Sequence, residues 1–231
     1  MEKTGKGISA DVLKWIAIIT MLIDHIGAAI VEKTNIILLP YGKILDYILR
    51  YIGRLSFPIF CFLLVEGFFH TRSRQKYLCN LLIFAVLSEL PFEISFLGEI
   101  IVGFRNVFWT LAIGMIMMML LEKIKERVSA QQNLFFILIV AACAVLAQLL
   151  QTDYGAVGIL LIFILYKTRE DRKQQCILGA IAMCYEITAP LAFLLLYHYN
   201  GVRKQKSLKY FFYAFYPLHL LLLYWIRALI V

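Results

Sequence analysis

The sequence predicts an all-α, polytopic membrane protein, and three observations carry that prediction. Apolar residues make up 62% of the 231 positions and charged residues only 16%, against about a quarter charged in ordinary soluble domains. Continuous apolar runs that approach the length of a bilayer crossing recur from end to end. Those runs lack the period-2 alternation of barrel strands, and lipid tolerates only helices or closed barrels, so helices are expected throughout.

Taken in order, the run at 11–31 is too long for the apolar core of a cleaved signal and has no small-residue cleavage site, so it is expected to stay as the first span. Residues 34–52 break the pattern. There Pro40, Lys43, Asp46 and Arg50 interleave with Ile44, Leu45, Ile48 and Leu49. That spacing fits an amphipathic helix lying in the outer interface near 36–51, with a plain outer loop as the alternative. Runs at 53–70, 77–97, 106–121 and 133–150 follow. Three shorter runs, 155–166, 176–188 and 191–199, are each thin for a full crossing, and Pro190 either breaks one helix or separates two. A last run at 210–230 closes the chain.

Charge placement orients these runs. The gaps 72–76, 123–127, 167–173 and 203–209, with the N-terminal lysines, hold most of the Lys and Arg residues, and the positive-inside rule puts them in the cytoplasm. The alternation works with nine crossings, N-terminus inside and C-terminus outside, within a range of eight to ten. Eight would leave Arg203, Lys204, Lys206 and Lys209 outside. A single membrane domain over 1–231 is expected, with no repeat or low-complexity tract. The net charge of +8 sits in short gaps between apolar runs, which argues against nucleic-acid binding. Five scattered cysteines lack metal-ligand spacing and point to neither a metal site nor a disulfide framework.

Ionisable groups within apolar runs are costly, so they line cavities or pair with one another. Asp24 and His25 stand together on the first span, pointing about 100° apart on a helix. One arrangement turns His25 to a cavity and bonds Asp24 to a neighbouring helix; a structural clamp between helices is the plainer reading. An imidazole beside a carboxylate is the commonest general-base pair. Arg54 opens the second span, where it either contributes to a site or snorkels to headgroups. Glu66 and His70, four residues apart, share a face at the cytoplasmic end with Arg72 following, as an anion-binding cluster or an interfacial cap. Glu89, Asn106 and His219 complete the polar set, with Asp153 and Glu186 also in the outer half. Such residues serve an enzyme or, alternatively, a proton-coupled transporter or flippase.

The strings LKWIAIITMLIDHIG (13–27), GRLSFPIFCFLLVEGFFHTRS (53–73), SELPFEISF (88–96), NVFWTL (106–111) and FYPLHLLLL (215–223) together resemble the TraX family. The resemblance runs from about residue 10 to 225 and is carried least by 123–190. It implies a transmembrane acetyltransferase of a bacterial cytoplasmic membrane, using cytosolic acetyl-CoA and an outer acceptor, either a pilin N-terminus or a surface glycan. It also implies a functional set. His25 and Asp24 would be catalytic, and Glu66, His70 and Arg72 would meet the donor. Arg54, Glu89, Asn106 and His219 would line the path. No metal is implied, and no phosphate-cradling Gly-rich loop is present, so the donor would enter among the spans.

Overall fold

Ser9 starts the first helix: its hydroxyl accepts the Val12 N–H at 3.3 Å, capping α1 (Ala10–Ile26). In the computed structural model, residues 7–97, 103–125, 132–203 and 208–230 are described. They are helical apart from turns, loops and two isolated β-bridges, Ile8 with Tyr199 and Arg105 with Thr152. α1 runs on into π turns over Gly27–Val31. A 3-10 turn at Asn35–Leu38 then leads to α2 (Gly42–Gly53) and α3 (Ser56–His70). Ser73 caps α4 (Arg74–Leu87); a short α5 (Glu89–Phe92) and a second π segment, Glu93–Leu97, follow. Beyond them come α6 (Val107–Lys125), α7 (Gln132–Leu149), α8 (Gly155–Lys167), α9 (Arg172–Ala182), α10 (Ala192–Tyr197) and α11 (Lys209–Ile230).

Contacts define two ends of the bundle. At one, Asp24 meets Arg50 and Arg54 meets Glu186. At the other, Glu66 meets Arg169, Arg172 and Arg203. α1 starts at the Glu66 end, where the Ile8 and Ala10 N–H groups donate to the His198 and Val202 carbonyls. The remaining helices alternate. α4 leaves beside Glu122 and arrives at Arg105, while α6 returns to a Tyr166–Glu122 hydrogen bond of 2.6 Å. α8 descends from Asp153 to Lys167, α9 climbs from Arg172 toward Glu186, and α10 comes back to Tyr199. α11 ends with Arg227 beside Ile94 and Ser95, at the Asp24 end.

Four helices among the described residues are long and apolar enough to cross a membrane: Ala10–Val31, Gly42–His70, Val107–Lys125 and Tyr210–Ile230. A fifth arises if Arg74–Leu87 and Glu89–Phe96, bent by 47°, count as one broken span. Asn133–Leu149 and Gly155–Lys167 are apolar but shorter, and α9 and α10 have 11 and 6 residues. The segment expected as a separate interfacial helix is helical and joins α3 in one stretch of 29 residues, Gly42–His70. Its amphipathicity faces an unusual way. Asp46, Leu49, Arg50 and Gly53 turn toward α1, while Ile44, Leu45, Tyr47 and Ile48 are exposed. Within that face Arg50 pairs with Asp24 of α1, while Asp46 and Leu49 pack against Gly27.

The core is continuous through the bundle, with Leu13, Ile18, Ile59, Phe62, Met115 and Ile159 fully buried. Small residues set helix spacing, as expected where helices pack without a hydrophobic drive between them. A Cβ on Gly158 would lie 2.6 Å from Thr110 Cγ2, so α8 and α6 approach closely there. Arg227 secures the π segments: it donates at 2.7 Å to the carbonyls of Ile94 and Ser95 and at 3.4 Å to that of Ala29. π turns leave backbone carbonyls out of the regular ladder and often mark functional sites; here they flank His25.

Candidate functional site

α1, α2, the start of α3 and the α7–α8 turn enclose a cavity of about 270 Å³ at the Asp24 end. Its polar lining includes Asp24, His25, Arg50, Arg54, Asp153 and Tyr154. Asp24 and His25 diverge as adjacent helical residues must. Asp24 Oδ2 accepts from Arg50 Nη1 at 2.7 Å, and Arg50 Nε lies 3.3 Å from Glu32 Oε1. His25 instead meets His219 of α11, Nδ1 to Nε2, at 2.6 Å with ring planes 9° apart.

The proton positions on this histidine pair follow from its terminus. His219 Nδ1 is 2.7 Å from the Phe215 carbonyl, which can only accept, so Nδ1 carries the hydrogen. In the neutral pair His219 Nε2 therefore accepts, and His25 Nδ1 donates to it. The lone pair of His25 is left on Nε2, in a residue that lines the cavity. Phe96 and Tyr216 hold the ring edge-on at 4.9 and 5.8 Å. The orienting partner of His25 is thus another histidine, 194 residues away, rather than the neighbouring Asp24.

Arg54 ion-pairs with Glu186 at 3.1 Å, and Arg54 and Tyr154 both line the cavity. Tyr154 stacks on Phe57 at 3.6 Å and adopts φ 63°, a left-handed turn followed by Gly155 at φ 41°. That turn brings Asp153 and Tyr154 to the cavity. Burial pushes the Asp153 carboxyl up to about 6, with the Asp24 charge adding to the rise and Arg54 opposing it. Burial likewise raises the Tyr154 phenol, so it stays a hydrogen-bond donor.

Gly53 permits this geometry. A Cβ there would lie 2.1 Å from Asp24 Cβ and 2.5 Å from its Cγ, which no small adjustment absorbs. Gly53→Val is expected to lower the thermal unfolding midpoint in detergent, since overpacking costs about 1–3 kcal/mol. An unchanged midpoint would show that α1 and α2 do not brace each other at this contact.

Glu89 and Asn106, expected along the path, are not among the residues lining this cavity. They form a clamp where α4 breaks into α5. Glu89 accepts from Arg105 at 3.0 Å, Asn106 at 2.7 Å and Trp109 at 2.9 Å. Asn106 also donates to the Ala85 carbonyl and caps the Phe108 N–H. With these bonds made, both side chains hold α6 against the kink.

At the opposite end Glu66, 3% exposed, accepts from Arg169 Nε at 2.9 Å, with Arg203 at 3.8 Å and Arg172 at 3.9 Å. His70 Nδ1 donates to the Glu66 carbonyl at 2.8 Å. Arg72 is exposed and makes none of these contacts with Glu66. The cations that gather there come from the α8–α9 loop, from the first residue of α9 and from the segment ahead of α11. Each lies on, or bonds to, an aromatic: Arg172 over Phe62 at 4.6 Å, Arg169 over Phe69 at 4.4 Å, and Arg203 with the Tyr199 hydroxyl. Burial pulls the Arg172 guanidinium down while Glu66 opposes it, and arginine stays charged regardless. One carboxylate thus faces three guanidinium groups. Among the described residues, no group of three or more His, Cys, Asp or Glu is arranged to hold a metal ion.

Comparison with known proteins adds identity to this geometry. A protein-family profile described as "TraX protein" matches residues 9–227. The probable fimbrial assembly protein FimC, serogroup H1, of Dichelobacter nodosus is 31% identical over 246 residues, covering 93% of this chain and 94% of that protein. No solved structure matches. A match across nearly the whole chain, including both ends of the bundle and the His25–His219 pair, means that the chain belongs to the TraX family.

Proposed function

We propose that this protein is a transmembrane acetyltransferase that moves an acetyl group from cytosolic acetyl-CoA to an amine or hydroxyl acceptor on the far side of the membrane. The observation that carries the reading is the His25–His219–Phe215 carbonyl chain, which leaves His25 Nε2 as a base in a cavity wall. In the proposed topology the chain crosses nine times, with its N-terminus and the Glu66 end cytoplasmic. The alternation of helices between the two ends supports it, as do the basic residues gathered around Glu66. A bacterial cytoplasmic membrane is the matching location.

In this mechanism His25 Nε2 takes the proton of the acceptor as its nitrogen or oxygen bonds to the thioester carbonyl carbon. The C–S bond breaks and coenzyme A leaves as thiolate, which receives the proton from His25. His219 Nε2 accepts from His25 Nδ1 throughout and shares the charge of the imidazolium. Arg54 and Tyr154 offer N–H and O–H groups to the oxyanion. Asp24 holds Arg50 and shapes the wall. Glu66, His70 and the arginines about them frame the cytoplasmic mouth, where basic groups receive the donor's phosphates. The relative's name speaks of fimbrial assembly, which favours a pilin subunit as acceptor over a glycan.

The test is incubation of the purified protein with labelled acetyl-CoA and native membranes, followed by identification of the labelled product. Label on a pilin N-terminus or a glycan is expected. Folded wild-type protein that transfers nothing would overturn the reading. Label retained on His25 without acceptor would make the transfer two-step, through an acyl-histidine.

A further inference from the structure

A second cavity, about 470 Å³, opens at the Glu66 end between α6, α7 and α8. Ligand pockets commonly run to about 300–1,000 Å³, so it is large enough to hold a sizeable group. Two chemistries share its wall. Lys125, Lys167 and Arg169 supply positive charge, and Phe69, Phe136 and Tyr166 supply aromatic surface.

The two are built into one another. Arg169 Nε is fixed at 2.9 Å by Glu66 Oε1, and its guanidinium carbon lies over Phe69, 4.4 Å from the ring centroid. Phe69 in turn stacks on Tyr166 at 5.7 Å with planes 12° apart. Two stacked rings with a guanidinium over one of them are therefore in place before any ligand arrives. Lys167 Nζ stands 5.3 Å from the centre of the Phe136 ring, and Lys125 is exposed opposite. Glu170 is the one carboxylate among the lining residues, against three cations.

Planar stacking surfaces beside mobile cations suit a particular ligand. Purine bases stack on aromatic rings and on arginine planes, and lysines meet phosphates as point charges on flexible stems. An anionic lipid headgroup would use the cations and leave the planes idle. We propose that this cavity binds the adenine-nucleotide end of the donor, with its base against the Phe69–Arg169 layer and Phe136 and its phosphates on Lys125 and Lys167. The inference rests on acetyl-CoA being the donor. The nucleotide is then held at the cytoplasmic mouth, and the thioester arm is free to extend past Glu66 into the bundle.

The experiment compares acetyl-CoA with acetyl-pantetheine, which keeps the thioester but lacks the nucleotide, using the purified full chain. The wild type should prefer acetyl-CoA by tenfold or more in kcat/KM, the scale of losing charge-assisted hydrogen bonds. In a Lys125→Gln/Lys167→Gln double variant that preference should fall to within about threefold, mainly through KM for acetyl-CoA. Phe136→Leu should narrow it as well, without any change of charge. A variant that slows both donors equally keeps the ratio and overturns the inference. So does a rate defect repaired by vesicles rich in anionic lipid, which would assign the cavity to a headgroup. Failure of the wild type to use either donor sinks the acetyltransferase reading itself.

Discussion

Replacing His25 with alanine should bring acetyl transfer close to background, a loss of about 10²–10⁴-fold in kcat, the range for a positioned acid–base group. The expectation is strongest in its contrasts. His25→Asn keeps a side-chain N–H near the place of Nδ1, so the bond to His219 Nε2 can survive while the base on Nε2 is gone. That variant should be as inactive as alanine yet unfold at the wild-type temperature. His219→Gln should retain part of the activity, because the glutamine carbonyl can accept from His25 Nδ1. His219→Leu has no acceptor there; His25 is then free to put its hydrogen on Nε2, and transfer should fall a further tenfold or so. Measured with labelled acetyl-CoA and native membranes, full transfer by His25→Asn would remove His25 from the reaction.

The sequence exposed the parts of this site more readily than their connections. Asp24 and His25 stand out because two ionisable residues in an apolar run have no plain solvent-facing explanation. Helical geometry points them about 100° apart, and the expected arrangement, His25 at a cavity and Asp24 bonded to a neighbouring helix, is the one found; their partners, Arg50 and His219, lie 26 and 194 residues away. His219 was legible as an odd residue near Pro217; its bond to His25 was not, because nothing local encodes which helix lies beside α1. Glu89 and Asn106 read as polar lining for the same reason that they work as a clamp, since both roles put polar side chains inside the bundle. The deciding fact is the kink after α4, which leaves Glu89 facing the start of α6.

Arginine position was the weakest signal. Arg169, Arg172 and Arg203 lie in gaps where basic residues have a sufficient topological reason to exist, so their convergence on Glu66 was hidden behind the positive-inside pattern. Arg72, nearest to Glu66 and His70 along the chain, lies beyond the end of α3 and is exposed. A buried glutamate at a helix end was itself a clue. It needs cations, and arginines in the facing loops were the available ones. The short helices α9 and α10 resisted reading because Pro190 and the turns before it leave too few residues for a regular crossing.

Glu66 should carry the largest effect on stability. Its carboxylate is 3% exposed and is the counter-charge printed into the fold for three guanidinium groups that are themselves 21–30% exposed. Breaking a buried ion pair by removing one partner costs about 3–5 kcal/mol. Partial exposure lets the arginines recover some hydration, so Glu66→Gln should fall below that range while still lowering the unfolding midpoint in detergent clearly. Two further measurements separate charge from packing. Phosphate or sulfate should raise the midpoint of Glu66→Gln more than that of the wild type, because an anion can stand where the carboxylate stood. Adding Arg172→Gln to Glu66→Gln should restore part of the loss, because it removes a cation left without its partner. A variant that unfolds at the wild-type temperature and ignores both anion and second substitution would mean that solvent, not Glu66, balances these arginines. Arg169, the one of the three that also lies over Phe69, is the group proposed to meet the donor's base. Glu66 therefore holds that guanidinium oriented at a cost in free charge.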